Sequence, residues 1–92
     1  MRRRIMREGV VIVALDDDLN PRLDSVGLPL DEDYDEFVAE AVADIRKALG
    51  RLKGQERRTE ATVHEAARLA ARRAAQRWSG KRPQVRVILP NL

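Results

Sequence analysis

The sequence predicts a small α+β domain of ββααβ order, a three-stranded sheet with two helices packed on one face. Three observations predict it. A β-branched apolar run, Val10 to Leu15, stands near the start. Two long segments follow with apolar residues at helical spacing, and a short alternating run, Val85 to Leu89, closes the chain.

Val10 to Leu15 is bounded by Gly9 and by Asp16, Asp17 and Asp18, the punctuation of a strand. It is apolar at every position, so both of its faces are expected to be covered. It therefore takes the centre of the sheet. Asp17 to Pro21 is turn chemistry, so a second strand, around Arg22 to Val26, returns as a hairpin and stops at Gly27 and Pro29.

An acidic stretch from Asp31 to Glu36 opens the first helix. Phe37, Val38, Ala41, Val42, Ile45, Ala48, Leu49 and Leu52 form its apolar stripe. Acidic residues at its start and Arg46, Lys47, Arg51 and Lys53 toward its end suit the helix dipole, and Gly54 is the expected terminator. Thr59 is placed to cap the second helix with its hydroxyl. The inner stripe of that helix is Val63, Ala66, Ala67, Ala70, Ala74 and Trp78, and small alanines there permit close packing. Gly80 ends the helix and Pro83 prevents its resumption. Val85, Val87 and Leu89 alternate with Arg86 and Ile88 as a third strand.

Two helices on one face leave the other face of the sheet bare. Val11, Val13 and Leu15 are expected to face the helices, which turns Val10, Ile12, Ala14 and Ile88 outward. Burying a Val or Ile is worth about 1.5–3 kcal/mol, so an outward cluster of them points to an interface with a second copy or another domain.

The chain has 92 residues, which suits a single domain over 1–92 with little room for an enclosed active site. Its net charge is +3, with 36% charged residues of both signs. Acidic residues dominate from Asp16 to Asp44, and basic ones dominate Arg2 to Arg4 and Arg57 to Arg86. There is no Cys, which excludes a disulfide framework and thiolate metal sites and fits a cytoplasmic protein. No apolar run approaches the roughly 20 residues of a membrane helix, so no membrane partner is expected. Arg2 to Arg4 before an apolar run suggests a secretory leader, but Asp16 to Asp18 follow with no small-residue cleavage site, and that reading is rejected.

Catalytic motifs fail one by one. His64 is the single histidine; His64-Glu65 begins a zinc motif whose second ligand position is Arg68, a cation that binds no zinc. Asp16, Asp18 and Asn20 have calcium-loop spacing, but Pro21 and Gly27 occupy the positions of the loop glycine and the bidentate glutamate. Asp31, Asp33 and Asp35 fail in the same way at Glu36 and Val42. Ser25 and Ser79 have no His and Asp partners in sequence. The remaining feature is basic. Arg68 and Arg72 share a face of the second helix with Gln76, Arg73 and Arg77 flank it, and Lys81 and Arg82 follow. Arg68, Arg72, Arg73, Lys81 and Arg82 are the candidates for RNA contact through phosphates. Only three aromatic residues are present, so no base-stacking platform is expected.

In order, these segments resemble the C-terminal domain of ribonuclease J in its proteobacterial form, over nearly the whole chain. The resemblance runs from Arg2-Arg3-Arg4-Ile5 and Gly9 to Val13 through Ser25-Val26-Gly27-Leu28-Pro29 and Glu56-Arg57-Arg58. It is clearest in Glu65 to Arg73 and in Gly80-Lys81-Arg82-Pro83. The resemblance implies a cytoplasmic RNA-processing and RNA-degrading enzyme, whose chemistry belongs to a metallo-β-lactamase domain with an inserted β-CASP domain. A histidine- and aspartate-rich motif there binds two metal ions, usually zinc. It also implies that this domain is non-catalytic, carries no cofactor, and supports oligomer assembly, with itself and the catalytic domains as partners and RNA as a further one. The alternative is a stand-alone nucleic-acid-binding protein that uses the basic second helix. With one histidine, the chain is expected to leave RNA intact when zinc or manganese is added; turnover in a gel-based cleavage assay would overturn the non-catalytic reading.

Overall fold

The structure is a computed structural model that describes residues 9–28 and 30–90; the basic run Arg2 to Arg4 and Pro29 lie outside them. Strand β1 spans Val10–Leu15 and β2 spans Pro21–Val26. Helix α1 spans Tyr34–Gly50 after a 3-10 turn at Asp31–Asp33, and α2 spans Glu60–Ser79 after a second 3-10 turn at Gly54–Arg58. Strand β3 spans Gln84–Ile88. The sheet order is β2-β1-β3, with β1 central as the sequence predicts. β2 pairs antiparallel to β1 through the hairpin, and β3 pairs parallel to it. A parallel neighbour requires a long crossover, and the two helices supply it.

Alternation along β1 sets the layer order. Val11 and Val13 are fully buried and Leu15 nearly so, while Val10, Ile12 and Ala14 are half-buried on the other face. The inner set joins Phe37, Ile45 and Val63 in one core. Among the described residues, the expectation that both faces of β1 are covered holds only on the helix side. On α2 the buried positions are Val63, Ala67, Ala71, Ala74 and Ala75, while Ala66, Ala70 and Trp78 pack half-buried at the border of the core. The predicted stripe is thus rotated toward Ala71 and Ala75, because part of it faces α1 rather than the sheet. Buried alanines carry no bulk and let the helix lie close to its neighbours.

The ends of the elements are held by specific bonds. In the hairpin turn the Asp16 carboxylate accepts from the amides of Asp18 and Asn20, both at 2.9 Å. That bond set explains the acidic turn as a structural device. Leu19, at φ 62°, is buried as the turn folds back on the core. Tyr34 ties α1 to the sheet edge: its hydroxyl donates to Asp24 at 3.2 Å and accepts from the Ser25 amide at 3.1 Å.

Two expected helix ends differ. Gly54 does not terminate α1; the helix ends at Gly50, and the Arg57 guanidinium donates to the Leu49 carbonyl at 3.0 Å. A cation at the negative end of the dipole stabilises that end, and Gly54 instead opens the second 3-10 turn. Thr59 is the N-cap of α2, but its hydroxyl donates back to the Gln55 carbonyl at 2.9 Å and caps no amide of α2. The preceding 3-10 turn offers that acceptor, which sequence spacing did not reveal. Gly80 ends α2 as predicted, at φ 71° with its amide on the Gln76 carbonyl.

Two glycines should respond oppositely to alanine. At Gly9, φ is 82° and an added Cβ would lie 2.8 Å from the Leu28 side chain and 3.1 Å from the Val26 carbonyl oxygen. Gly9→Ala is expected to cost about 1–3 kcal/mol by urea denaturation. Gly50, in the last turn of α1, has open space around it, so Gly50→Ala is expected to stabilise by about 0.4–1 kcal/mol.

The hairpin turn should also carry a pH signature. The Asn20 amide, and after it the Asp18 amide, hold the Asp16 carboxyl below its ordinary value of 3.8. A group depressed in the folded state stabilises above its unfolded pKa and loses that contribution as pH falls through the folded one. The Tm advantage of the native chain over Asp16→Asn should therefore be full well above the ordinary carboxylate range and be lost as pH falls below it. A difference independent of pH would refute the role of the charge.

Candidate interaction surfaces

The first surface is the outer face of the sheet. Strand register lays it out in three rows: Val26, Val10 and Gln84; Asp24, Ile12 and Arg86; Arg22, Ala14 and Ile88. Val10, Ile12, Ala14 and Ile88, the four residues predicted to point outward, all lie here. The structure adds Val26, which sequence reasoning missed. Val26 and Ile88 are 57% and 58% exposed, the two exposed large hydrophobics among the described residues. An apolar band thus crosses the face from Val26 through β1 to Ile88. Counting back along the hairpin from the turn pairs Val26 with Val10, and that count was the available signal.

Charges border the band on opposite edges. Asp24 and Arg86 both stand in register with Ile12, one on β2 and one on β3. The Asp24 Oδ1 accepts from the Ser25 amide and the Tyr34 hydroxyl, which fixes the carboxylate at the β2 edge.

The second surface is helical, and the predicted basic residues do not form one patch there. Arg68 is bonded to Glu65 at 2.6 Å; this bond raises the Arg68 pKa and lowers that of Glu65. Arg72 follows Arg68 one turn on, on the same flank of α2. Arg73 lies about 100° further round, in the seam between the helices. Lys81 and Arg82 follow the helix terminator Gly80, and the Lys81 amide is bonded to the Ser79 hydroxyl. That hydroxyl itself donates to the Ala75 carbonyl, a helix-end role rather than a nucleophile's.

The seam gathers residues that the sequence did not associate. Asp44, Lys47 and Ala48 of α1, Arg51 just past its end, and Ala70, Arg73 and Arg77 of α2 line a groove of about 260 Å³. Arg77 is held at one end by Asp44 at 2.7 Å and Glu40 at 3.1 Å, and the Asp44 bond raises its pKa above the usual arginine value. Glu40 also accepts from the Trp78 indole. The signal in sequence was the four-residue spacing of Lys47 with Arg51 and of Arg73 with Arg77, but it becomes a site only when the two helices pack.

The donor set does not fit a di-metal hydrolytic centre. The chain has one His and no Cys, and no cluster of three His, Cys, Asp or Glu side chains exists among the described residues. No helix among them is long and apolar enough to cross a membrane.

Comparison with known families settles what kind of domain this is. The family model described as "Ribonuclease J C-terminal domain" matches residues 1–92, the whole chain. The chain belongs to the ribonuclease J C-terminal domain family. No curated protein matches it. Membership makes it an accessory, non-catalytic domain of a ribonuclease.

Proposed function

We propose that the domain holds copies of a cytoplasmic ribonuclease J together, with the outer sheet face of one copy covered by that of a second. The catalytic metallo-β-lactamase and β-CASP domains of the same polypeptide, with their zinc, would carry out the RNA cleavage. The observation that carries the proposal is the apolar band from Val26 to Ile88 with Asp24 and Arg86 on opposite edges. Two sheets stacked about a two-fold axis parallel to β1 set β2 of each copy over β3 of the other. Ile12 then meets Ile12 of the partner, and each Asp24 meets an Arg86. An axis perpendicular to the strands would oppose like charges, so the charge pattern favours the parallel axis.

The face is small. Two strands of six residues and one of five cover about 14 by 20 Å, roughly 300 Å² per copy. Stable interfaces bury about 1,200 Å² or more in total. The sheet contact alone is therefore weak, and firm assembly draws on contacts made by the rest of the enzyme. A stand-alone nucleic-acid-binding protein has less support. Arg68 is engaged by Glu65 and Arg77 by Asp44 and Glu40, which removes two cations from the basic helix.

Sedimentation equilibrium should show reversible dimerisation with a dissociation constant on the order of 0.1–1 mM. Ile12→Asp should abolish it. Arg86→Glu, which leaves the bonds of Asp24 intact, should weaken it by about tenfold or more, because each Asp24 would then face a carboxylate. A strict monomer at millimolar concentration would rule out the second copy as the occupant.

A further inference from the structure

We propose that the seam between α1 and α2 is a phosphate-binding groove that holds the backbone of an RNA strand. This rests on the assignment of the chain to a ribonuclease, which selects RNA among polyanions; the groove itself is argued from its charge. Four cations, Lys47, Arg51, Arg73 and Arg77, line it against one carboxylate, Asp44. Asp44 is matched to Arg77 by their 2.7 Å ion pair. Lys47, Arg51 and Arg73 have no ion-pair partner among the described residues, and all three are exposed.

Three cations that converge on one groove repel one another, and an anion seated among them removes that repulsion. Their spacing fits a chain of phosphates rather than a compact anion. Lys47 and Arg51 stand one helical turn apart, about 6 Å along α1, and Arg73 faces them from α2. The groove's 260 Å³ falls below the ~300 Å³ of small-molecule pockets, so a strand lying across it suits its size better than an enclosed ligand. Arginine guanidinium groups offer paired N–H donors to phosphate oxygens, and Lys47 adds a point charge. Arg77, ion-paired with Asp44 and Glu40, marks one end of the groove and adds no free cation to it. The groove lies on the helical side of the domain, away from the outer sheet face, so RNA and a second copy do not compete for it.

The recognition is sequence-independent. The groove has no aromatic side chain in its lining, hence no platform for bases. Three phosphate contacts on a single strand give a slope of about −2 in log K against log salt.

The test uses the 92-residue chain and a fluorescein-labelled 12-nucleotide oligo-U, followed by anisotropy from low to moderate salt. The native chain should bind with that slope. The triple variant Lys47→Ala, Arg51→Ala, Arg73→Ala should lose at least about tenfold in affinity and flatten the slope toward zero. The control pair Arg68→Ala, Arg72→Ala, on the other flank of α2, should change affinity less than about threefold. Amide shifts in the native chain locate the site without any substitution, and they should cluster in residues 44–51 and 70–77. Shifts confined to the Arg68 flank, a triple variant that binds normally, or no binding at low salt would each overturn the groove. A chain that dimerises through its sheet yet ignores RNA would overturn this proposal and leave the assembly proposal standing.

Discussion

The constraint on which the rest of the structure depends is the burial of Val11 and Val13 on one face of β1. With Phe37, Ile45 and Val63 they are the largest side chains sealed from water. A register slip of one residue would exchange them for Val10 and Ile12 and turn the inner set out to solvent. Both ends of the strand oppose such a slip. Gly9 passes against Leu28 and the Val26 carbonyl at a positive φ, and the Asp16 carboxylate gathers the hairpin turn at the other end. Once β1 is fixed, β2 and β3 inherit their facing through the two ladders.

The same constraint creates the outer sheet face. Alternation that sends Val11 and Val13 inward must send Val10, Ile12 and Ala14 outward, and no third layer covers them among the described residues. The helical layer has its own consequence. Alanines along α2 bring it close to α1, and close approach converts two separate basic flanks into one groove. The domain thus presents an apolar face on the sheet side and a cationic seam on the helix side. Such a body suits the proposed part in a ribonuclease, with assembly and RNA contact on opposite sides.

Much of this was legible in the residues. Strand β1 was readable from its β-branched run, its inner set from side-chain volume, and the end of α2 from Gly80. The ribonuclease J resemblance was readable in the order of short segments, and the family match over residues 1–92 agrees with it. What escaped were matters of partner choice. Gly54 looked like a helix terminator because glycine often is one, but α1 ends at Gly50 and Gly54 opens the next 3-10 turn. Thr59 looked like a side-chain cap, but a 3-10 carbonyl took its hydroxyl. Arg68 and Arg72 were readable as one face of α2 with Arg73 and Arg77 flanking it, but the pairing of Arg68 with Glu65 and the place of Arg73 in the seam were not.

The sequence by itself determined the order of the elements, the central place of β1 and a donor inventory of one histidine and no cysteine. Those follow from local pattern and from counting residue types, which need no knowledge of what lies opposite. Only the tertiary structure decided that Val26 joins the outer apolar band, that Asp24 and Arg86 stand on either side of Ile12, and that Lys47 and Arg51 share a groove with Arg73. Each of these is a relation between residues distant in the chain, and it exists only after strand register and helix packing have brought them side by side.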